Sequence, residues 1–143
     1  MVRVVNDPVT IANRLRPVLL RLARELRREI HSLGVTGGQV SLLSQVKHNP
    51  GTTASELAER ERVSAPGMSG HLVRLEAAGL IERNRATDRR RIGLYLTPEG
   101  AKVLRSVRSR RTAWLSARLE RLEPADRELI EDALTSLEKL MDA

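Results

Sequence analysis

The chain has 143 residues, a net charge of +7, and 41% hydrophobic and 30% charged side chains. This composition excludes a disordered chain, and a chain of this length can bury about 70% of its unfolded surface in one folded unit. No apolar run approaches the ~18 residues of a membrane span, and with no cysteine, disulfides, thiolate metal sites and thiol redox sensing are excluded.

Aromatic residues are nearly absent, with Trp114, Tyr95 and no Phe, so Leu, Val, Ile and Ala fill the core. The stretch from Met1 to Asp7 lacks the basic-then-apolar pattern of a signal peptide, and a cytosolic location is expected. Residues 1–59 carry +3, residues 60–111 carry +8 and residues 112–143 carry −4. A localised positive field attracts a polyanion, although charge alone fits a plain basic surface equally well.

In chain order, Asp7-Pro8 starts a helix, with Asp as N-cap and Pro in the first turn. Ile11, Leu15, Val18, Leu22, Leu26 and Ile30 recur at helical spacing, so a long amphipathic helix runs to about Gly34, kinked or divided by Pro17. Thr36 begins a second helix, with Val40, Leu42, Leu43 and Val46 as its apolar positions and Asn49-Pro50-Gly51 as its end. Thr53-Ala54-Ser55-Glu56 reads as a capping box: the Thr53 hydroxyl accepts from the Glu56 amide, and the Glu56 carboxylate reaches back to the Thr53 amide. The third helix runs to about Glu61, with Leu57 and Ala58 inward. Ser64 then caps a fourth helix that has Pro66 in its first turn, Met68, Leu72 and Leu75 on one face, and Gly79 at its end.

Leu80-Ile81-Glu82-Arg83 and Ile92-Gly93-Leu94-Tyr95-Leu96 read as short strands around an arginine-rich tip, residues 84–91. Thr97-Pro98 starts a fifth helix that runs to about Leu122. Pro124 starts a sixth, with Ile130, Leu134, Leu137 and Met141 on one face.

Helix, short turn, helix, then two strands around a basic loop make a winged helix-turn-helix. The fold class is therefore mainly α with a small β-hairpin wing and six helices. Residues 35–97 form the DNA-binding lobe, and residues 1–34 and 98–143 a helical dimerisation region. The recognition helix, residues 64–78, suits the major groove, and the wing suits the minor groove. On the helical wheel Pro66, Ser69, Gly70, Val73, Arg74 and Ala77 face outward, with His71 on a flank. The candidate contacts are Ser64, Pro66, Gly67, Ser69, Gly70, His71 and Arg74, the two glycines letting the backbone approach DNA. In the wing, Arg90 is the inserted residue, because a flat cation matches the negative potential of a narrow minor groove. Arg85, Arg89 and Arg91 serve phosphates, and Asp88 pairs with a neighbouring arginine to set the loop's shape.

Leu57-Ala58 through Val63, Met68-Ser69, Leu75-Glu76, Gly79 through Arg83, Asp88-Arg89-Arg90 and Leu96-Thr97 resemble the MarR (multiple antibiotic resistance regulator) family. The resemblance covers nearly the whole chain and is most specific from Gly79 to Gly100. It implies a homodimer joined through the first, fifth and sixth helices. It also implies a pseudo-palindromic double-stranded DNA operator, repression as the usual outcome, and release by a small lipophilic or phenolic effector bound between the dimer region and the lobe. The interface candidates are Ile11, Leu15, Val107, Trp114, Leu115, Ile130, Leu134, Leu137 and Met141. Gly70 departs from the family pattern, which often has Arg or Lys there, and shifts base reading towards His71 and Arg74.

Other chemistry finds little support. His31, His48 and His71 lack close ligand spacing, so neither metal nor cofactor is expected. Gly67-Met68-Ser69-Gly70-His71 narrowly misses a nucleophile elbow and has no preceding strand. Glu25 and Glu29 sit among Arg21 and Arg28 as a solvated charge network. Nothing assembles an enzyme site. Arg105, Arg108, Arg110 and Arg111 either reach phosphates, line a solvent face, or pair with acidic residues such as those of the sixth helix. The alternative within the same fold is an architectural DNA-binding protein of low sequence specificity.

Overall fold

The computed structural model describes residues 6–85 and 90–142. Its elements are α1 (Pro8–Arg28), a 3₁₀ turn (His31–Leu33), α2 (Gly37–His48), α3 (Ala54–Glu61), α4 (Ala65–Ala77), β1 (Ile81–Arg85), β2 (Ile92–Leu96), α5 (Pro98–Glu120) and α6 (Pro124–Asp142).

Local chemistry sets most helix starts. Asp7 caps α1 by accepting from the Thr10 amide at 3.1 Å and the Thr10 hydroxyl at 2.6 Å. Those bonds hold its carboxyl below the usual carboxylate range. Thr36 and Gln39 form a reciprocal capping box at α2. Ser64 accepts from the Gly67 amide at 3.1 Å to start α4, and Thr97 accepts from the Gly100 amide at 3.0 Å to start α5. Gly79, at φ 74°, follows the last turn of α4.

Three expectations need correction. First, Pro17 does not divide α1, which runs through it as one helix. Pro17 and Asn13 are both exposed, so the Asn13 carbonyl deprived of its partner can bond water instead. Second, α1 stops at Arg28 rather than near Gly34. The chain turns there to bury Ile30 completely, and Gly34 ends the following 3₁₀ turn at φ 75°. Third, only half of the α3 capping box forms. Thr53 accepts from the Glu56 amide at 3.2 Å, but the Glu56 carboxylate is engaged elsewhere, with Thr52 and Arg91.

The core gathers Val40, Leu43 and Val46 of α2, Leu57 of α3, Met68, Leu72 and Leu75 of α4, and Leu94 of β2. Each fully buried aliphatic side chain contributes roughly 1.5–3 kcal/mol. Ile30 and Val107 join from the flanking helical segments, so the lobe's core reaches beyond the lobe itself. Val107, an interface candidate, is 2% exposed and packs in this core within the single chain.

The strands pair antiparallel, with Ile81 opposite Leu96 and Arg85 opposite Ile92. A bridge from Thr52 to Leu94 ties β2 to the turn before α3. In contrast to the lobe, every described residue of α6 is exposed.

Candidate nucleic-acid interface

Helix α4 is braced from two sides. Its inward face is saturated by Met68, Leu72 and Leu75, which pack into the core with Leu57 of α3. Arg62 occupies the left-handed region at φ 54° and turns the chain sharply from α3 into α4. The outward face then carries Pro66, Ser69, Val73, Arg74 and Ala77 exposed, with Gly70 and His71 partly covered.

The two glycines of α4 differ in role. A Cβ on Gly70 would meet only Arg74 Nη2, at 4.0 Å, so its backbone borders open space. A Cβ on Gly67 would lie 3.0 Å from Ser64 Oγ and 3.1 Å from Val63 Cγ1. Gly67 therefore already answers to packing inside the protomer, and Ser64 already spends an acceptor site on the cap.

The hairpin is tied to both helices. Arg83 Nε of β1 donates to Glu76 Oε1 of α4 at 2.9 Å. Arg91, just before β2, forms an ion pair with Glu56 of α3. Thr52, buried beneath this pair, donates to Glu56 Oε2 at 3.4 Å and accepts from Arg60 Nη1 at 3.5 Å. Arg85 and Arg90 are exposed where the described strands approach the tip. Asp88 and Arg89 lie outside the described residues. The structure thus brings Ser64, Ser69, Gly70, His71 and Arg74 onto one helix, with Arg85, Arg90 and Arg91 on the adjoining hairpin.

Sequence reasoning missed Glu56 and Glu76 as wing anchors. Their partners are distant in sequence, and each acid also reads as an ordinary helix residue. It also named, as effector-site residues, none of those around a cavity of about 600 Å³ where α1, the start of α2 and α5 meet. Ala23 and Leu26 line it with Arg27, His31, Thr36, Gly37, Gly38 and Arg111. The Arg111 Nε is buried there without a hydrogen-bond partner among the described residues.

Among the proposed interface residues, Ile11, Ile130, Leu134, Leu137 and Met141 are exposed, and Leu15, Trp114 and Leu115 are half-buried. The Arg118 guanidinium stacks over the Trp114 ring at 5.0 Å.

Two helices across a tight turn, with a charged hairpin beside the second, define a winged helix-turn-helix protein. A family model described as the MarR family matches residues 33–92. A transcriptional regulator of the helix-turn-helix type from Mycobacterium bovis is 28% identical over 138 residues, spanning 96% of both chains. A Pseudomonas aeruginosa protein assigned as a transcriptional regulator is 29% identical and superposes with a TM-score of 0.84, over 98% of this chain and 99% of that one. A MepR variant from S. aureus, bound to an oligodeoxyribonucleotide, is 22% identical with a TM-score of 0.70, over 92% and 97% of the two chains. The chain is thus similar to the MarR family over its winged lobe, and to transcriptional regulators of the helix-turn-helix type over nearly its whole length.

Proposed function

We propose that two copies of this chain bind a pseudo-palindromic duplex operator and repress transcription by occupying it. The observation that carries this reading is the braced lobe, in which α4 turns Ser69, Gly70 and Arg74 outward beside a hairpin pinned to α3 and α4. Helix α4 enters the major groove, and Arg90 enters the adjacent minor groove. Arg85 and Arg89 face phosphates, Arg91 stays paired with Glu56 to hold the wing, and His71 flanks the base contacts. The exposed apolar residues of α1 and α6 are covered in the dimer, because patches of this kind are costly in water.

Footprinting on DNA flanking the protein's own gene tests this reading. Two protected half-sites separated by about 10 bp or a multiple are expected. Failure to protect any discrete site refutes it.

Release follows from an effector in the cavity between α1, α2 and α5. Arg27, His31 and Arg111 favour an acid, and Ala23 and Leu26 favour an apolar body, so a lipophilic acid suits the lining. Such acids are expected to reduce operator protection in the same footprint.

Gly70 favours the second reading, an architectural protein, because it leaves few base-reading groups on α4. A specific-to-nonspecific affinity ratio above about a thousand at fixed salt excludes that reading.

A further inference from the structure

We infer that the chain reads thymine methyl groups in the major groove with an apolar notch made by Gly70 and Val73. This rests on the DNA-binding reading above. Val73 is 56% exposed, although the inward face of α4 is already filled by Met68, Leu72 and Leu75. Nothing in the lobe's own packing calls for a branched apolar side chain at this position, where β-branching also lowers helix propensity.

The neighbouring position gives the exposed valine a geometry. Residues three apart on a helix are surface neighbours, and each Cα–Cβ bond tilts toward the helix N-terminus. Val73 therefore leans toward Gly70, whose missing side chain leaves open space bordered only by Arg74 Nη2 at 4.0 Å. The result is a recess with bare backbone for its floor, an isopropyl group for one wall and a guanidinium at its edge.

Base edges in the major groove present donors, acceptors and one apolar group, the C5-methyl of thymine. Valine offers nothing to the polar groups and would leave them unsatisfied, which costs binding. Thymine alone gives this recess a complementary partner. Exposed Ala77, one turn further along α4, extends the same small apolar face.

The test begins with selection of duplexes from a random pool by the full-length chain. Thymine is expected at two symmetry-related positions. Replacing those thymines with uracil keeps every hydrogen-bonding group and removes only the methyl. Each replacement is expected to weaken binding about fourfold, the value of one buried methyl-sized group. In Val73→Ala the thymine–uracil difference is expected to vanish, while the dependence of binding on salt stays as in the parent, since no charge is altered. Val73→Thr, isosteric but hydroxylated, is expected to shrink the difference without removing the side chain's bulk. Equal binding of thymine and uracil duplexes by the parent chain overturns the notch and leaves DNA binding intact. Undiminished discrimination by Val73→Ala does the same. A pool that yields no enriched sequence overturns the operator reading and the notch together.

Discussion

At the scale of single residues, Gly100 shows how tightly the lobe is closed. A Cβ there would lie 2.2 Å from the Leu80 carbonyl oxygen and 2.6 Å from Leu96 Cδ1. Thr97 closes the same corner, donating its hydroxyl to the Gly79 carbonyl at 2.6 Å while capping α5. Gly100→Ala is expected to cost about 1–3 kcal/mol, because backbone has to move to admit the methyl. A denaturant midpoint equal to the parent's would refute that packing account. Thr97 was legible as a cap because the cap spans three residues. Its second bond was not, because Gly79 is 18 positions away. Arg90 carries a different expectation. Arg90→Ala should weaken operator binding by about 1–3 kcal/mol and lower the salt slope by about one counterion, as read in titrations at several salt concentrations. An unchanged affinity removes Arg90 from the mechanism.

At the scale of elements, the wing is a hairpin whose aim depends on acids in two helices. Glu56 was read as the second half of a capping box, and its carboxylate instead holds Arg91. The long-range ion pair wins because the Thr52 hydroxyl also donates to this carboxylate, while itself accepting from Arg60. This produces a prediction of unusual sign. If Glu56 contributed only charge, Glu56→Gln would tighten binding to a polyanion. As a wing anchor, its loss should weaken operator binding about two- to fivefold, in keeping with a half-exposed pair. Tighter binding in a gel-shift titration rejects the anchoring role. The third to fifth helices were legible nearly to the residue, from Thr53, Ser64, Gly79 and Thr97-Pro98, because caps and terminators act locally. The end of α1 was not, because apolar periodicity continues through Leu26 to Ile30 while the chain itself turns inward.

At the scale of the molecule, the lobe has a completed core and the C-terminal helix has none. Leu134 is 50% exposed and Met141 87% exposed in the single chain. Burying such side chains against a second copy is the proposed source of dimer stability. Leu134→Glu is expected to shift sedimentation from dimer to monomer and to abolish paired half-site protection. A dimer that persists in that variant places the interface elsewhere. The cavity between α1, α2 and α5 belongs to this scale as well, because its lining comes from segments far apart in the chain. Arg27→Ala combined with Arg111→Ala is expected to leave operator affinity within a fewfold of the parent and to remove release by lipophilic acids. Persistent release in calorimetric or footprint titrations excludes this cavity as the effector site.

What the sequence alone determined were features whose cause spans a few residues: the caps, the helix faces, the hairpin, and through their order the winged class. The cationic middle block and the resemblance in Gly79 to Gly100 added the DNA partner as an expectation. Tertiary structure decided what needs two distant segments together. It paired Glu56 with Arg91 and Glu76 with Arg83, withdrew Val107 into the core, opened space beside Gly70, and converged Arg27 with Arg111. The division has a physical origin. A helix cap or an amphipathic face is set by spacing along the chain, whereas an ion pair or cavity depends on which surfaces the hydrophobic core brings into contact.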